Sequence, residues 1–384
     1  MPAPRTTRPR NPATDPEQGG IVKPSWRRRF IAVTALTAAF GLALPALATA
    51  STHDSVVAAT RSLKGKKIAV LIAGDQNDGG FYEGQVTALK ALAKKYKAKL
   101  IVIDKVGIGT SQESFDNAAR QNPAIILSTG SELLDGFNAV CNNPQYRSIF
   151  FMSQAAFPPV CKRAVHFTAD DFQSHYLGGV AAALILEAAG KTTAPTLGVV
   201  AGPELSFVTD DNKALEEGLK SRIPDAKLNI TFTGDFENAA LAREAADAFI
   251  NQGASLLYPY LGGALIAVVE AANTAKVPVL AVAIDGCGIP APGPQFAGSI
   301  LFNPAPGFAP MLKSYQSGKL KPGDFKVFGL ETKGVGANIC NATSEQQKVL
   351  DATKQKILNG DIVVKAGGFW KKKDGNWKVR GPAA

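Results

Sequence analysis

Lys67-Ile-Ala-Val-Leu-Ile-Ala73 is an uninterrupted aliphatic run, and the loop Gly74-Asp-Gln-Asn-Asp-Gly-Gly-Phe-Tyr82 follows it directly. A continuous run of this length is typical of a strand buried on both faces of a parallel sheet. Residues 82–96 then repeat apolar side chains at helical spacing, with lysines between them. The stretch therefore predicts a buried strand, a glycine-rich loop at its carboxyl end and an amphipathic helix.

The loop after this strand lacks the two common glycine-rich phosphate-binding patterns. Gly-x-Gly-x-x-Gly is absent, and no Gly-Lys-Ser/Thr follows the glycines. An EF-hand calcium loop would need a final Glu and flanking helices, which the stretch also lacks. The loop instead offers a glycine-lined backbone beside the acceptor Asp78 and the aromatic rings of Phe81 and Tyr82. These groups favour a small organic ligand.

The alternation of strand and helix continues along the chain and then begins a second time. In the first unit, strands are predicted at 100–103, 124–127 and 148–152, with helices at 113–120 and 132–141. In the second, a helix at 174–189 precedes strands at 197–201, 227–232, 255–258 and 278–283, with helices at 212–221, 239–251 and 264–273 between them. Strands and helices that alternate through short connections form doubly wound parallel sheets. Two successive units predict an α/β protein of two such lobes, with a ligand cleft at the carboxyl ends of the strands.

The first fifty residues predict an export signal. Residues 5–24 are rich in Pro, Arg and Thr and too poor in apolar side chains to form a core. The arginines from Arg27 to Arg29 then precede the apolar run 30–48, which ends in an Ala-x-Ala pattern. This order is that of a secretory signal peptide. A membrane anchor is the alternative, but the run is Ala-rich and Pro45 interrupts it.

The export route and the final compartment are also expected from this segment. The arginines resemble a twin-arginine export signal, although Trp26 stands where that consensus prefers Ser or Thr. No Cys follows the apolar run, so the sequence offers no site for a lipid anchor. We therefore expect residues 1–50 to be removed and the rest to be a soluble periplasmic protein.

The formal net charge of +10 comes from the two ends of the chain. Residues 1–50 hold seven basic and two acidic side chains, and residues 364–384 hold six and one, which leaves 29 of each sign between them. A nucleic-acid-binding protein carries its basic charge on a folded face. The neutral body therefore argues against nucleic acid as a partner, and its length suits about two domains.

Five short stretches resemble the basic membrane protein family of substrate-binding proteins, whose best-understood members bind purine nucleosides. They are Asn77-Asp-Gly-Gly-Phe-Tyr82, Tyr176-Leu-Gly-Gly-Val-Ala-Ala182, Gly253-Ala-Ser-Leu-Leu-Tyr258, Ala283-Ile-Asp285 and Gly298-Ser-Ile-Leu-Phe302. They occur in the family's order, and the resemblance spans about residues 66–363.

The resemblance implies a type I periplasmic-binding fold, in which three strands cross between two lobes. On that basis lobe one is expected to comprise 66–170 plus 286–318, and lobe two 171–285 plus 319–363. The four cysteines are all in the exported part, where an even number suggests disulfides, although buried free thiols are the alternative. The sequence alone allows three pairings. The implied lobes favour Cys141 with Cys161 and Cys287 with Cys340.

The resemblance also implies which residues contact the ligand. The family's loop Phe, which stacks on the nucleobase, corresponds to Phe81, and the next position, an Asn in the family, is Tyr82. The Asp that holds ribose hydroxyls corresponds to Asp285, but its Lys partner corresponds to Phe302, which removes an ammonium donor. A nucleoside is therefore the expected class, and a smaller or more aromatic ligand is the alternative.

The expected ligand-binding residues are Asp78, Phe81, Tyr82, Ser131, Tyr260, Asp285 and Asn303. Ser131 and Asn303 are residue types that often cap helices, so we expect a capping role for them as well. Asp170 and Asp171 precede a predicted helix, and we expect them to cap it rather than to contact ligand.

The sequence offers no catalytic arrangement. It contains neither a Gly-x-Ser-x-Gly elbow nor a His-x-x-x-His pair. We therefore expect no catalytic residue, no metal and no cofactor. The resemblance implies a monomer that closes on a small molecule and delivers it to the permease of an ATP-binding-cassette (ABC) transporter in the inner membrane. The alternatives are a sensor of the same fold that binds a sugar or other small ligand for a receptor and, more remotely, a secreted enzyme.

The basic tail 364–384 also has a recognisable pattern. Asp374-Gly-Asn376 is a turn signal between Phe369-Trp370 and Trp377-Lys-Val379. This pattern predicts a short β-hairpin, which we expect to dock on lobe two.

Overall fold

A computed structural model describes residues 61–78, 81–282, 287, 295–303, 305–371 and 377–380. Across these ranges, no helix has both the length and the apolar character needed to cross a membrane. The predicted signal peptide, residues 1–50, lies outside the described part of the chain.

The first lobe is built on a parallel sheet. Its strands are β1 (Lys67–Leu71), β2 (Lys99–Ile103), β3 (Ile125–Thr129), β4 (Phe150–Gln154) and β5 (Val165–Ala169), and the helices between them are α1 (Phe81–Tyr96), α2 (Ser111–Arg120) and α3 (Leu134–Asn142). The strand order is β5-β4-β3-β1-β2. All of β3 and β5 and most of β1 are buried, because helices cover both faces of the sheet.

The second lobe begins with α4 (Asp171–Ala188), which is buried along almost its whole length. The elements that follow are β6 (Thr196–Ala201), α5 (Ser206–Lys220), β7 (Lys227–Phe232), α6 (Ala239–Asn251), β8 (Leu256–Tyr260), α7 (Leu265–Ala275), β9 (Leu280–Val282) and β10 (Gly298–Phe302). Strands β7, β6 and β8 form one parallel sheet, and a parallel bridge from Leu257 to Val279 connects it to the segment that leads into β9. The expected α/β fold with two lobes is therefore present.

The remaining elements show where the chain crosses between the lobes. They are α8 (Ala305–Gln316), β11 (Phe325–Phe328), β12 (Val335–Ile339) and α9 (Ser344–Asn359). Strand β10 pairs in parallel with β9 and antiparallel with β12, whereas β11 pairs in parallel with β5. The chain thus leaves lobe one after β5, returns after β10 and leaves again after β11.

Two segments differ from the lobe boundaries expected from the sequence. Residues 286–318 were expected in lobe one, yet β10 belongs to lobe two, where Ile300 packs against Gly178 of α4. Residues 319–363 were expected in lobe two, yet β11 extends the sheet of lobe one. The other elements of these segments lie where expected: Phe308 of α8 packs into the lobe-one core, and β12 and α9 pack in lobe two. A strand pattern does not reveal its pairing partner, and these partners are distant in sequence.

Helix α4 packs against α5 with unusually close backbones. A Cβ at Gly179 would overlap the carbonyl oxygen of Leu215, and a Cβ at Gly218 would overlap that of Tyr176. Gly179 of the Tyr176–Ala182 stretch therefore lets α4 approach α5 closely, whereas its neighbour Gly178 faces Ile300 of β10. This contact holds the amino-terminal turn of α4 in place at the boundary between the lobes.

Two disulfides join the four cysteines in the pairing that the family resemblance implied. Cys141, in the last turn of α3, bonds Cys161, with 6.1 Å between their Cα atoms. Cys287 bonds Cys340, with 5.1 Å between their Cα atoms. The second bond ties the segment after β9 to the end of β12, both of which flank β10.

The tail contains a hairpin of β13 (Gly368–Lys371) and β14 (Trp377–Arg380), which pair antiparallel. Its turn lies outside the described residues. Phe369 contacts Phe172 of α4, with ring centroids 5.8 Å apart, and Phe325 of β11, at 5.9 Å. The hairpin was expected to dock on lobe two, and it does contact α4 of that lobe, but it also contacts β11 of lobe one.

Candidate binding site

A cavity lies between the two lobes at the carboxyl ends of their strands. Lobe one contributes residues that follow β1, β3 and β4, and lobe two contributes residues from α4, α5 and the ends of β8 and β9. The inner cavity is about 90 Å³, and a groove of about 540 Å³ continues outward from it. The inner cavity alone is smaller than the several hundred Å³ of an ordinary ligand pocket. A ligand of that size must therefore extend into the groove or enter while the lobes are further apart.

Aromatic side chains from both lobes form the walls of the cavity. Phe81 and Tyr82 come from the start of α1, and their ring centroids are 5.2 Å apart in an edge-to-face arrangement. Phe207, Phe236 and Tyr260 come from lobe two. Because the rings belong to opposite lobes, a planar ligand between them would contact both halves of the protein.

On the lobe-one side, the loop after β1 positions Tyr82 toward a carboxyl group. Asp78 caps α1, since its carboxylate accepts hydrogen bonds from the backbone N–H groups of Tyr82 and Glu83 at 3.1 and 2.9 Å. The Tyr82 hydroxyl then donates a hydrogen bond to Oε1 of Glu132. Burial and the neighbouring Glu132 raise the pKa of Tyr82 well above its usual value, so the phenol stays protonated. Burial also raises the pKa of Glu132, although the Tyr82 hydrogen bond opposes that shift.

On the lobe-two side, the first turn of α4 meets the ends of β8 and α5 in a buried polar network. His175 Nδ1 lies 2.8 Å from the carbonyl oxygen of Asp171, and His175 Nε2 lies 2.8 Å from the Tyr258 hydroxyl. A carbonyl only accepts, so Nδ1 carries the proton and Nε2 accepts from Tyr258. Burial lowers the pKa of His175 to about 4, so the ring is neutral at pH 7. The Tyr260 hydroxyl donates to Oδ2 of Asp211 at 2.8 Å.

Two carboxyl groups of this network, Asp171 and Asp211, are buried near each other. Asp171 lines the cavity, and its Oδ1 accepts from the backbone N–H of Phe172 at 3.1 Å. Asp211 Oδ1 has no hydrogen-bond partner among the described residues. Burial raises the pKa of both groups well above the usual range, and the proximity of Asp211 raises that of Asp171 further. Two carboxyl groups this close to each other do not both ionise readily without a compensating positive group.

The structure brings four of the seven expected ligand-binding residues together. Phe81, Tyr82, Ser131 and Tyr260 line the cavity. Ser131 also accepts a hydrogen bond from the backbone N–H of Ala156 at 2.9 Å.

Of the other three expected residues, two cap helices and one is not described. Asp78 caps α1, as described above, and Asn303 caps α8, because its side chain accepts from the backbone N–H of Ala305 at 2.9 Å. Asp285 lies outside the described residues, and its contact with ligand stays a prediction. The capping role was expected for Asn303 but not for Asp78.

Several cavity residues were missed by sequence reasoning. They are Glu132, Gln154, Asp171, Phe207 and Phe236. Asp170 and Asp171 were both expected to cap α4, and Asp170 does so by accepting from the Gln173 backbone N–H at 3.1 Å. Asp171 is already the first residue of the helix and lines the cavity instead. The adjacency of two aspartates was the available signal, since one helix needs only one cap.

The fold and an interlobe cavity at strand ends define the class of two-lobed ligand-binding proteins. Residues 65–367 match the model of a family described as Bmp, ABC transporter substrate-binding protein PnrA-like, and the chain belongs to that family. It is therefore an extracytoplasmic substrate-binding protein of an ABC transporter and not an enzyme.

A curated relative and two solved structures agree with this assignment. The ABC transporter nucleoside-binding protein BmpA of Lactococcus lactis subsp. cremoris (strain MG1363) is 24% identical over 362 residues, which cover 88% of this chain and 99% of that protein. An ABC transporter solute-binding protein from Aeropyrum pernix K1 has a TM-score of 0.65 at 16% identity, covering 80% of this chain and 94% of its own. An ABC transporter solute-binding protein from Conexibacter woesei DSM 14684 has a TM-score of 0.58 at 20% identity, covering 78% of this chain and 98% of its own. These structural likenesses show the fold.

Proposed function

We propose that this protein captures a small aromatic, nucleoside-like molecule between its lobes and delivers it to an ABC permease. The supporting observation is the set of aromatic rings that both lobes direct at one cavity, above all Phe81 opposite Phe207 and Phe236. A planar ring system stacked among them would bury apolar surface against both lobes at once. The curated relative named as nucleoside-binding supports the same class of ligand.

The proposed mechanism is closure of the two lobes around the ligand. A ligand stabilises the closed form only if it makes more contacts there than in the open form. Rings on opposite lobes meet this condition, because a molecule bound to Phe81 gains its contacts with Phe207 and Phe236 only after closure. The closed form would then be the one that the permease recognises, as in hinge closure of periplasmic binding proteins generally.

Titration calorimetry with a panel of nucleosides and nucleobases tests the proposal. Phe81→Leu keeps apolar volume but removes the ring, and we expect it to weaken binding by about 1 kcal/mol, the typical worth of an aromatic pair. Phe150→Leu is the matched control, because Phe150 begins β4 whereas Gln154 at its other end lines the cavity. If no panel member binds the wild-type protein, or if both variants bind equally, the proposed ligand class is wrong.

A further inference from the structure

The cavity and its groove are acidic on both lobes. Glu132 on lobe one and Asp171 on lobe two line the inner cavity, and no Lys, Arg or His is among the described residues that line it. Asp75, Asp235 and Glu237 line the outer groove. Lys105, which also lines that groove, already forms an ion pair with Asp75 at 2.9 Å.

Several polar groups of the cavity are available to a ligand as acceptors. The two phenol groups that could donate are engaged with carboxylates, Tyr82 with Glu132 and Tyr260 with Asp211. Gln154 is 1% exposed and lines the same cavity, and its Oε1 has no hydrogen-bond partner among the described residues. The ligand therefore meets acceptors and aromatic ring faces, and both attract positive charge.

Lobe closure brings acidic groups of the two lobes toward each other. Glu237 of lobe two lies against the loop after β1 in lobe one, where a Cβ at Gly74 would come within 3.1 Å of its Oε1. Its carboxyl accepts a hydrogen bond from the Gly263 backbone N–H at 3.0 Å. Burial raises the pKa of Glu237, this hydrogen bond opposes the shift, and the charges of Asp78 and Asp75 raise the pKa further. Like charges on facing lobes oppose closure unless a positive group lies between them.

We propose that the ligand is an organic cation: a planar, nitrogen-containing molecule whose positive charge lies between Asp171 and Glu132 and against the aromatic rings. This inference rests on the proposed function, since it assumes that the interlobe cavity is the binding site. Within the described ranges, no group of three or more His, Cys, Asp or Glu side chains is arranged to hold a metal ion. Because aromatic rings from both lobes line the cavity, an organic cation fits the lining better than a bare metal ion does.

The charge of the ligand is what separates this inference from the proposed function. A neutral ligand of the same shape would make the same stacking contacts, but it would leave the buried carboxyl groups without a counter-charge. A cation compensates them and gains its full interaction only when both lobes surround it. The inference therefore predicts discrimination between a cation and its neutral isostere.

Titration calorimetry with two matched pairs tests this at neutral pH. The pairs are 1-methyladenosine against adenosine and 1-methylnicotinamide against nicotinamide, in which the first member carries a positive charge. We expect the charged member of at least one pair to bind at least about tenfold more tightly, in line with hydrogen bonds to charged groups. Equal or tighter binding of the neutral members overturns the cation inference and leaves the proposed function standing. If neither pair binds and no nucleoside of the panel binds, both the cation inference and the proposed function are wrong.

Two isosteric variants locate the charge recognition. Asp171→Asn and Glu132→Gln should each weaken binding of the cation about tenfold or more while changing affinity for its neutral isostere little. Asp247→Asn is the control, because it removes a half-exposed carboxylate on α6 that pairs with Arg243 within the same helix.

Melting temperature separates recognition from a structural role. The unliganded Asp171→Asn protein should melt no lower than wild type, since the substitution removes repulsion between Asp171 and the nearby Asp211. Parallel losses of affinity for both members of a pair would show that Asp171 acts through the fold, and the inference would fail.

Discussion

At the residue scale, the start of α4 and the adjacent part of α5 together place three ionisable groups where water does not reach them. Asp170 is 2% exposed and Asp171 and Asp211 are 1% exposed. Asp170 keeps a clear structural partner in the Gln173 N–H, whereas Asp211 has one oxygen without a partner among the described residues. Buried polar groups that lack partners cost stability and are retained mainly where function uses them. The buried polar network as a whole is therefore stronger evidence for a binding site than any one of its residues.

These carboxyl groups predict how stability depends on pH. Burial raises the pKa of Asp170 to about 7 and those of Asp171 and Asp211 well above the usual range. A carboxyl whose pKa is higher in the folded state binds more protons there, so the free energy of unfolding falls as pH rises toward that pKa. Burial lowers the pKa of His166 to about 3 and that of His175 to about 4. These two groups make the free energy of unfolding rise with pH, but only below about pH 6.5, the usual pKa of histidine.

Between about pH 6.5 and 8, therefore, only the carboxyl groups among these residues change the free energy of unfolding with pH. We expect the melting temperature of the free protein to fall across this range. Asp211→Asn should flatten the dependence, because an amide keeps an acceptor for Tyr260 and does not ionise. Neighbouring acidic groups raise these pKa values further. Asp170 acts on both Asp171 and Asp211, Asp210 acts on Asp211, and Glu331 acts on Asp170. A melting temperature that rises with pH in both proteins would contradict this account.

At the scale of elements, α4 connects the hinge, the site and the core of lobe two. Its first turn supplies Asp171, its second supplies His175, and the Gly178-Gly179 pair lets it approach α5 and β10. From Tyr176 to Leu186, α4 is apolar and buried on all sides, as expected for a helix in a core. A shift of α4 away from α5 would therefore displace the carboxyl group of Asp171 as well as the packing.

Gly179→Ala tests the importance of this packing. The added Cβ overlaps the backbone of Leu215, so we expect a loss of about 1–3 kcal/mol in the free energy of unfolding, despite the better helix propensity of Ala. Denaturant unfolding measures the change. Gly109→Ala is the control, since a Cβ there meets no atom within 4 Å. Equal stability of the two variants would mean that α4 and α5 can separate at little cost.

At the scale of the whole molecule, three crossings join the lobes, and the tail lies beside them. The crossings follow β5, β10 and β11, and the hairpin reaches Phe172 and Phe325 on either side through Phe369. Connections of this kind let two lobes rotate as units about a few chain segments. The cavity, which residues of both lobes line, changes most in such a motion.

Small-angle X-ray scattering measures this motion directly. With the nucleoside or cation that gives the largest thermal shift, we expect the radius of gyration to decrease at saturation, because the ligand bridges both lobes. Phe81→Leu should need more ligand for the same decrease, whereas Phe150→Leu should follow wild type. A radius of gyration that stays constant at saturating ligand would contradict lobe closure.

Much of the fold follows from local pattern. The aliphatic run of β1, the helical spacing of α1 and the repeated alternation predict strands and helices, because each depends on residues that are close in sequence. The loop position of Phe81 and Tyr82 at a strand end follows from the same local reasoning, and both line the cavity. The Asp374–Asn376 turn signal likewise predicts the β13–β14 hairpin.

Other features depend on contacts between distant residues, and only the folded chain contains them. Strand β10 pairs with β9 and β12 rather than with lobe one, and β11 pairs with β5 rather than with lobe two. The acidic cavity arises because Asp171 meets Asp211 across α4 and α5, while Glu132 faces them from the other lobe. Periodicity records which face of an element is buried, but it does not record what that face is buried against. The charge of the site is therefore a property of the tertiary structure.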